Sequence, residues 1–189
     1  MNSPSLTRAA EIVRAGGVVA YPTESCFGLG CDPRNSAALR RILHMKRRAP
    51  EKGLILIADC YERLLPFLEA GDLNSDGKKL PARIAETWPG PNTWLLPAGA
   101  RASHRLRGAH SKLAVRVTAH RDAAQLCKLA RMPLVSTSAN RAGRRALRDA
   151  GAVRREFGGE VDFVVEGRIG GASAPSTIRD GESGRVLRA

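Results

Sequence analysis

The chain has 189 residues and an apolar fraction of 43%, which is enough for one ordinary domain with a hydrophobic core. No stretch approaches the roughly 18 consecutive apolar residues that a membrane span needs. The N-terminus also lacks the charged and apolar regions of a signal peptide. We therefore expect a single domain over residues 1–189, located in the cytoplasm and without a membrane partner.

The composition is strongly basic. Lys and Arg number 31 against 18 Asp and Glu, which gives a net charge of +13. Such an excess attracts polyanions, and nucleotides, tRNA and rRNA all qualify. Charge alone does not choose among them, and free use of arginine by a high-GC genome explains the same excess without any partner.

Helices and short strands mix along the chain. Apolar residues at helical spacing predict helices, short apolar runs predict strands, and Asn35 or Ser36 is suited to cap the second helix. The first half of the chain is predicted to contain a helix over 6–13, a strand over 18–21, a glycine-containing turn over 23–30, a helix from about 36 to 46 and a strand over 54–58. Helices over 61–68 and 80–87 follow, with a polar loop at 71–77 between them. The second half is predicted to contain strands over 93–96 and 113–117, a helix over 121–130, a strand over 133–136, a helix over 152–157, and short strands over 161–165, 176–179 and 185–187.

Because the late strands follow one another closely, antiparallel pairing is expected beside parallel pairing. The predicted fold class is α+β, a twisted mixed β-sheet flanked by helices and not a clean doubly wound sheet. Residues 99–111 are polar, basic and short of apolar anchors, which favours a mobile lid or a substrate-facing loop.

The four cysteines indicate no structural metal site, because they form no Cys-x-x-Cys pair and have no histidine at metal-finger spacing. Cys60 and Cys127 fall in apolar helical patterns, which is typical of core thiols. Cys26 and Cys31 flank two glycines and are placed to line a site. We expect no metal held by the protein itself.

The segment from Lys46 to Gly53 concentrates cations at the end of a helix. Lys46, Arg48 and Lys52 follow a helix whose apolar face is committed to the core, so their charged groups face solvent or a ligand. Guanidinium groups chelate phosphate oxygens, and ammonium groups act as point charges. The alternative is an ordinary basic helix end, which the helix dipole favours. Pro50 and Gly53 weaken that alternative because they give the loop a defined path.

Hydroxyl-bearing residues stand at the ends of two predicted strands. Thr23 and Ser25 follow the first strand, where open sheets tend to bind ligands, although a capped turn with a solvated Glu24 explains them equally well. Ser136 and Ser138 alternate along a later strand, and Asn140 ends it. No histidine or Gly-x-Ser-x-Gly elbow accompanies these serines, so a serine-nucleophile hydrolase is disfavoured.

Arg116 interrupts an apolar strand. If its face of the sheet is exposed, the residue needs no partner, whereas a covered face requires an anion such as a carboxylate or phosphate. Lys112 lies four residues earlier on the same face of an ideal strand. Ser176 and Arg188 complete the polar set near the C-terminus. Neither a Gly-x-Gly-x-x-Gly nor a P-loop motif is present, so any nucleotide is held in another way.

Several of these segments, in this order, resemble the YrdC/TsaC family of threonylcarbamoyl-AMP synthases, and they span nearly the whole chain. The pairing of Lys-x-Arg with a distant Ser-x-Asn is the specific feature. The matching blocks are Gly17–Glu24, Gly28–Gly30, Lys46–Arg48, Lys52–Ile57, Trp88–Pro91, Ala114–Arg116, Ser136–Asn140 and Pro175–Ile178.

The resemblance implies an ATP-dependent nucleotidyltransferase. Its substrates would be L-threonine, bicarbonate (or carbon dioxide) and ATP, with Mg²⁺ on the ATP phosphates. Its products would be L-threonylcarbamoyl-AMP and pyrophosphate, and the tRNA threonylcarbamoyl-transferase machinery would receive the former. The implied fold is a twisted mixed sheet with a basic concave face. Since the chain stops soon after Arg188, it resembles the short form of the family.

The family pattern also implies roles for individual residues. Lys46 and Arg48 would be catalytic, gripping the phosphates and offsetting charge on the leaving pyrophosphate. The implied ATP-binding residues are Arg48, Lys52, Lys112, Ser138, Asn140 and Arg188. The implied threonine-binding residues are Thr23, Ser25, Arg116, Ser136 and Ser176.

Phe27 stands where family members often carry a tyrosine, and Ala49 displaces the proline that follows Lys-x-Arg. Two other functions stay open at this stage. A non-enzymatic protein that binds tRNA, rRNA or double-stranded RNA fits the charge, but the aromatic content of 4% leaves few stacking platforms. A carbamoyl-transfer module of hydrogenase maturation would normally belong to a longer chain.

Overall fold

Strands from distant parts of the chain form one nine-stranded mixed sheet in the computed structural model, which describes residues 3–69 and 80–188. The strands are β1 (Val19–Pro22), β2 (Phe27–Gly30), β3 (Ile55–Ala58), β4 (Asn92–Pro97), β5 (Lys112–Val117), β6 (Leu134–Ser138), β7 (Phe163–Val164), β8 (Thr177–Asp180) and β9 (Val186–Arg188). They lie in the order β7-β1-β2-β6-β3-β5-β4-β8-β9. β3 pairs parallel to β5 and antiparallel to β6, so the predicted mixed sheet is confirmed.

The helices pack on the sheet at several points. They are α1 (Pro4–Arg14), α2 (Ser36–Lys46), α3 (Ala82–Ala85), α4 (His104–Arg107), α5 (Arg121–Ala130) and α6 (Ala150–Phe157), with single 3-10 turns at Pro50–Lys52, Tyr61–Arg63 and Leu65–Phe67. No helix among residues 3–69 and 80–188 is both long enough and apolar enough to cross a bilayer.

Alternation along the strands divides the buried side chains between the two faces of the sheet. Tyr21 and Ile57 belong to the cluster that α1 and α5 cover. Their neighbours Ala20 and Leu56 belong to the larger cluster on the other face, together with residues of α2 and α6. Burial on both faces explains why β1 and β3 are continuous apolar runs in the sequence.

α2 leads directly to the candidate site. The Asn35 side chain caps it by accepting hydrogen bonds from the N–H groups of Ala37 and Ala38, both at 3.0 Å. The helix ends at Arg47, whose φ of 49° lies in the left-handed region. The chain therefore turns sharply between Lys46 and Arg48 and sends these two side chains to different places.

Two of the predicted elements are wrong in type. Residues 27–30 are not part of a turn but form β2, which pairs with β1 and β6, so the turn is confined to residues 23–26. The helix predicted over 61–68 is two separate 3-10 turns, because Pro66 supplies no N–H to continue an α-helical ladder. Cys60 consequently precedes a 3-10 turn and is half-buried, whereas Cys127 is buried as predicted.

The segment 99–111 is not a loop short of apolar anchors. It contains α4, and the side chains of Ala102 and Leu106 are buried. The Leu54 N–H donates to the Leu106 carbonyl at 2.8 Å, which ties the segment to the start of β3. The helix predicted over 80–87 is reduced to α3, which begins after Pro81. The polar loop predicted at 71–77 lies outside the described residues.

Candidate active site

A cavity of about 600 Å³ lies where β6 ends and β3 begins. Stretches that are far apart in sequence line it: the β1–β2 turn, the residue after the end of α2, the segment that follows β6, and the C-terminal strands. Its polar lining consists of Thr23, Ser25, Cys26, Arg48, Arg116, Ser136, Thr137, Ser138, Asn140, Arg144, Arg145, Arg148, Ser173, Ser176 and Arg188. The structure therefore brings together nine of the sequence-predicted site residues, whose individual roles stay predictions.

Three guanidinium groups, those of Arg48, Arg188 and Arg116, belong to the lining of this cavity. Burial, and next the charge of Arg188, lower the pKa of Arg48, while burial and the charge of Arg116 lower the pKa of Arg188. Arg188 Nη2 donates to the Ser176 carbonyl at 2.8 Å. Arg48 donates through Nε and Nη2 to the Gly53 carbonyl at 3.1 and 2.9 Å. Crowding cations in this way favours an anionic ligand.

Arg116 is covered by the protein, which rules out the exposed-face alternative for this residue. Its side chain is 8% exposed, and Nη2 lies 3.2 Å from Glu24 Oε2. The Thr118 hydroxyl donates to the other Glu24 oxygen at 2.7 Å. Arg116 Nε is buried without a hydrogen-bond partner among the described residues. The anion that the sequence required is thus partly supplied by Glu24, which is not solvated as the alternative for the 23–25 turn assumed.

Lys46 does not line the cavity but lies beneath it. Its ammonium group donates to the Ser138 carbonyl, to the Asn140 carbonyl at 2.8 Å and to Asn140 Oδ1 at 3.1 Å. Only 4% of the residue is exposed. Burial, and next the charge of Arg48, lower its pKa to about 8. The expectation that this cation faces solvent or a ligand is wrong, because α2 ends one residue later and its last turn packs against the 138–142 segment.

Further contacts join α2 to that segment. The Ala142 N–H donates to the Lys46 carbonyl at 2.8 Å, and Arg141 Nη1 donates to the Met45 carbonyl at 2.9 Å. The Ser138 hydroxyl donates to Asn140 Oδ1 at 2.6 Å. The end of β6 and the end of α2 therefore form one hydrogen-bonded unit that fixes the orientation of Ser138 and Asn140.

Other hydroxyls of the predicted set have partners within the protein. The Thr23 hydroxyl donates to the Cys26 carbonyl at 2.7 Å and closes the β1–β2 turn. The hydroxyls of Ser176 and Thr93 lie 2.8 Å apart in a buried pair. Cys26 lines the cavity as predicted, whereas Cys31 is buried elsewhere in the core.

Two predicted ATP-binding lysines lie outside the cavity. Lys112 Nζ is 2.7 Å from Asp180 Oδ2 and 2.5 Å from Glu182 Oε2, and these hydrogen bonds raise its pKa. Four residues along a strand span about 13 Å, which explains why Lys112 and Arg116 have different surroundings. Lys52 is exposed in the 3-10 turn after α2 and is not part of the lining. Neither lysine lines the cavity, and their contact with ATP stays a prediction.

The sequence reasoning missed several lining residues. Arg144, Arg145 and Arg148 follow Asn140 closely and carry a signal that was readable, namely a run of arginines directly after a hydroxyl-rich strand. Glu24 had no comparable signal, because its contact with Arg116 depends on which strands adjoin in the sheet.

Comparison with known proteins places the chain and its fold in a wider group. Residues 11–189 match the family model of Sua5, YciO and YrdC, which is described as telomere recombination. A threonylcarbamoyl-AMP synthase of Thiobacillus denitrificans is 52% identical over 177 residues, which cover 94% of this chain and 91% of that protein.

Two solved structures have the same fold. The crystal structure of P. abyssi Sua5 complexed with L-threonine superposes with a TM-score of 0.84 at 27% identity, over 95% of this chain and 52% of that one. This chain thus spans about half the length of that protein. The crystal structure of E. coli YciO superposes with a TM-score of 0.82 over 99% of this chain and 90% of that one. Its identity of 23% limits this second likeness to the fold.

Proposed function

The chain belongs to the Sua5/YciO/YrdC family, and from this premise we propose that it condenses L-threonine, bicarbonate (or carbon dioxide) and ATP into L-threonylcarbamoyl-AMP and pyrophosphate. The observation that carries the proposal is the convergence of Arg48, Arg116 and Arg188 with a row of hydroxyls on one cavity. Similarity to a threonylcarbamoyl-AMP synthase over nearly the whole chain supports the same nucleotidyltransferase activity.

Arg116 is the proposed partner of the threonine carboxylate. Glu24 holds one side of its guanidinium at 3.2 Å, and the buried Nε–H is left as a donor for an incoming oxygen. Charge-assisted hydrogen bonds of this kind are about twice as strong as neutral ones. Ser25, Ser136 and Ser176 supply the hydroxyls around the amino acid, and Thr23 shapes the turn that carries Ser25.

The nucleotide is proposed to occupy the part of the cavity that Arg48, Ser138 and Asn140 line. Ser138 and Asn140 form the wall against the nucleotide, and Arg48 faces its phosphates. Lys46 contributes by holding Ser138 and Asn140 in place, since its ammonium group is fully engaged by their oxygens. Lys52 and Lys112 lie outside the cavity and are not assigned a contact with the nucleotide in this proposal.

In this proposal the protein accelerates the reaction mainly by positioning the three substrates. The amine of threonine adds to carbon dioxide and loses a proton, which gives a carbamate. A carbamate oxygen forms a bond to the α-phosphorus, the bond from that phosphorus to the α–β bridging oxygen breaks, and its electron pair leaves with pyrophosphate. Arg48 offsets the charge that develops on this leaving group. Holding the reactants together supplies several of the roughly 7–11 kcal/mol available to well-oriented reactions.

Mg²⁺ is proposed to accompany ATP. The cavity offers hydroxyl and amide oxygens but no carboxylate, and the described part of the chain has no cluster of three His, Cys, Asp or Glu that could hold a metal. This donor set fits a magnesium ion held mainly by phosphates and water. When bound, the ion would neutralise part of the phosphate charge.

The test is pyrophosphate release from ATP by the purified chain, with threonine and bicarbonate each omitted in turn. We expect release only when all three substrates are present, with L-threonylcarbamoyl-AMP identified by mass spectrometry. Release that does not depend on threonine would overturn the proposal. The same result with other amino acids in place of threonine would refute the assigned specificity.

The product is proposed to pass to the tRNA threonylcarbamoyl-transferase machinery of the cytoplasm. The competing function, binding of tRNA or double-stranded RNA without turnover, is favoured by the net charge of +13. It predicts tight, strongly salt-dependent RNA binding together with no pyrophosphate release. The same preparation therefore distinguishes the two functions.

A further inference from the structure

Beside the cavity lies a second hollow of about 740 Å³ between α2 and α4, which we call the arginine groove. The polar residues that line it come from both helices and from the segments beside them. They are Arg40 and His44 of α2, the C-cap residue Arg47, Arg48, Arg105 of α4, and Arg141. Arg48 also lines the cavity, so the two hollows adjoin at its guanidinium. The groove is thus an extension of the candidate site on the phosphate side.

The charge of the groove is not balanced by the protein. Its lining includes no Asp or Glu. Arg40, Arg47 and Arg105 are exposed, and none of them forms an ion pair within residues 3–69 and 80–188. Arg141 differs, because Glu156 and Glu160 neutralise it. Three unpaired guanidinium groups around one concave surface attract a multiply charged anion.

The geometry of the groove depends on a close approach of two backbone segments. Gly53 has a φ of 59° and Gly108 a φ of 69°, both in the left-handed region. A Cβ on Gly108 would lie 2.3 Å from the Glu51 carbonyl oxygen, and one on Gly53 would lie 2.8 Å from the Arg107 carbonyl oxygen. Only glycine fits at such contacts. This packing holds the wall that carries Arg105 against the segment that follows Arg48.

Arg47 lines the groove from the left-handed position that ends α2, where glycine is the usual residue. Arg131 ends α5 in the same conformation, so this backbone geometry positions the cation without marking a site by itself.

We propose that the arginine groove seats inorganic pyrophosphate as it departs from Arg48. This inference rests on the proposed function. In an in-line displacement the leaving group departs opposite to the attacking oxygen. Arg116, the proposed partner of threonine, lines the cavity but not the arginine groove, whereas Arg48 lines both. The leaving group beside Arg48 therefore lies next to the arginine groove. The groove therefore receives pyrophosphate and moves it away from the reacting centre.

The experiment compares two triple variants with the same change in charge. The groove variant is Arg40→Ala, Arg47→Ala and Arg105→Ala. The control is Arg101→Ala, Lys128→Ala and Arg131→Ala. It removes three exposed cations that form no ion pair within the described part of the chain and that line hollows away from the cavity. Arg131, like Arg47, ends a helix in the left-handed region, so backbone effects are matched.

Calorimetric titration with pyrophosphate is the first measurement. We expect the groove variant to bind pyrophosphate at least about fivefold more weakly than the control, and its product-inhibition constant to rise by a similar factor. The threonine KM is expected to stay within about twofold of wild type. Equal changes in the two variants would overturn the inference, since the effect would then reflect net charge alone.

Two further results keep the proposals separate. If the groove variant loses binding of a labelled tRNA but binds pyrophosphate like the control, the groove is an RNA surface and the inference is wrong. If the wild type releases no pyrophosphate from its three substrates while the calorimetric difference persists, the proposed function fails and the anion seat stands. Should the triple variant not fold, the pair Arg40→Gln and Arg105→Gln provides the same comparison.

Discussion

Replacement of Lys46 by methionine tests whether this lysine acts through the segment that it supports. Methionine keeps the length of the side chain but removes its three hydrogen bonds to Ser138 and Asn140. We expect kcat/KM for ATP to fall by more than about tenfold, mainly through a higher KM, because Ser138 and Asn140 lose their anchor. The readout is pyrophosphate release at varied ATP and at varied threonine.

The effect on stability follows from the partners that remain. The Ser138 carbonyl keeps the Asn140 N–H at 3.0 Å, and Asn140 Oδ1 keeps the Ser138 hydroxyl at 2.6 Å. The Asn140 carbonyl keeps no other donor among the described residues, which costs about 1–3 kcal/mol. Removal of a buried cation, whose pKa has fallen to about 8, offsets this by roughly 3 kcal/mol. The free energy of unfolding should therefore change by less than about 2 kcal/mol.

The effect of Lys46 on activity and its effect on stability depend on pH in different ways. Above pH 8 the neutral amine of Lys46 has too few N–H groups for three acceptors, so wild-type kcat/KM for ATP should decline there and the methionine variant should not show this decline. The folded chain binds fewer protons than the unfolded chain between the folded pKa of about 8 and the ordinary value of 10.5. The contribution of Lys46 to stability consequently rises with pH in that window.

A double-mutant cycle with Asn140→Ala provides the decisive comparison. If Lys46 acts through Asn140, the loss in the double variant is smaller than the product of the two single losses, with a coupling of at least about 1 kcal/mol. Multiplicative losses would refute the reasoning, because they would show that Lys46 and Asn140 act independently. Lys128→Met, an exposed substitution on α5, serves as the control for loss of charge.

Three further substitutions test other contacts. Arg48→Ala is expected to lower turnover by more than about tenfold while the Tm shifts by only a few degrees, and turnover like wild type would contradict its role beside the phosphates. Glu24→Gln should raise the threonine KM by about tenfold and leave the ATP KM unchanged, because the Glu24 carboxylate orients Arg116. Equal shifts in the two KM values would argue against this role of Glu24. Asp180→Asn should lower the Tm at pH 7. The hydrogen bond from Lys112 depresses the pKa of Asp180, so its stabilisation is present above pH 4 and is lost on acidification, and the Tm difference between variant and wild type should shrink below pH 4.

The sequence was informative wherever a structure depends on neighbours along the chain. The apolar spacing in α2, its cap at Asn35 and the buried strand β3 follow from local geometry and side-chain polarity, and each was found where predicted. Local patterns were less reliable over residues 61–68 and 99–111. In 61–68, Pro66 prevents the continuous α-helix that the apolar spacing predicted. In 99–111, the buried side chains of Ala102 and Leu106 anchor a segment that was predicted to be a mobile loop.

The same distinction holds for the candidate site. Residue types alone indicated which cations and hydroxyls were suited to an anionic substrate, and most of them reach one cavity. Chain order could not tell which cation meets solvent, because that depends on strand adjacency. Lys46 is buried against a segment 92 residues away, and Lys112 is paired with Asp180 across 68 residues.

The amino-acid sequence by itself thus determined many core-facing residues, the cap of α2 and the kind of chemistry that the chain can support, because these depend on polarity and short-range geometry. Only the tertiary structure decided that Glu24 meets Arg116, that Lys46 supports Asn140 and that an arginine groove adjoins the cavity. The physical reason is that an ion pair or a hydrogen bond acts over a few ångströms. Which groups come so close is set by the packing of the whole sheet.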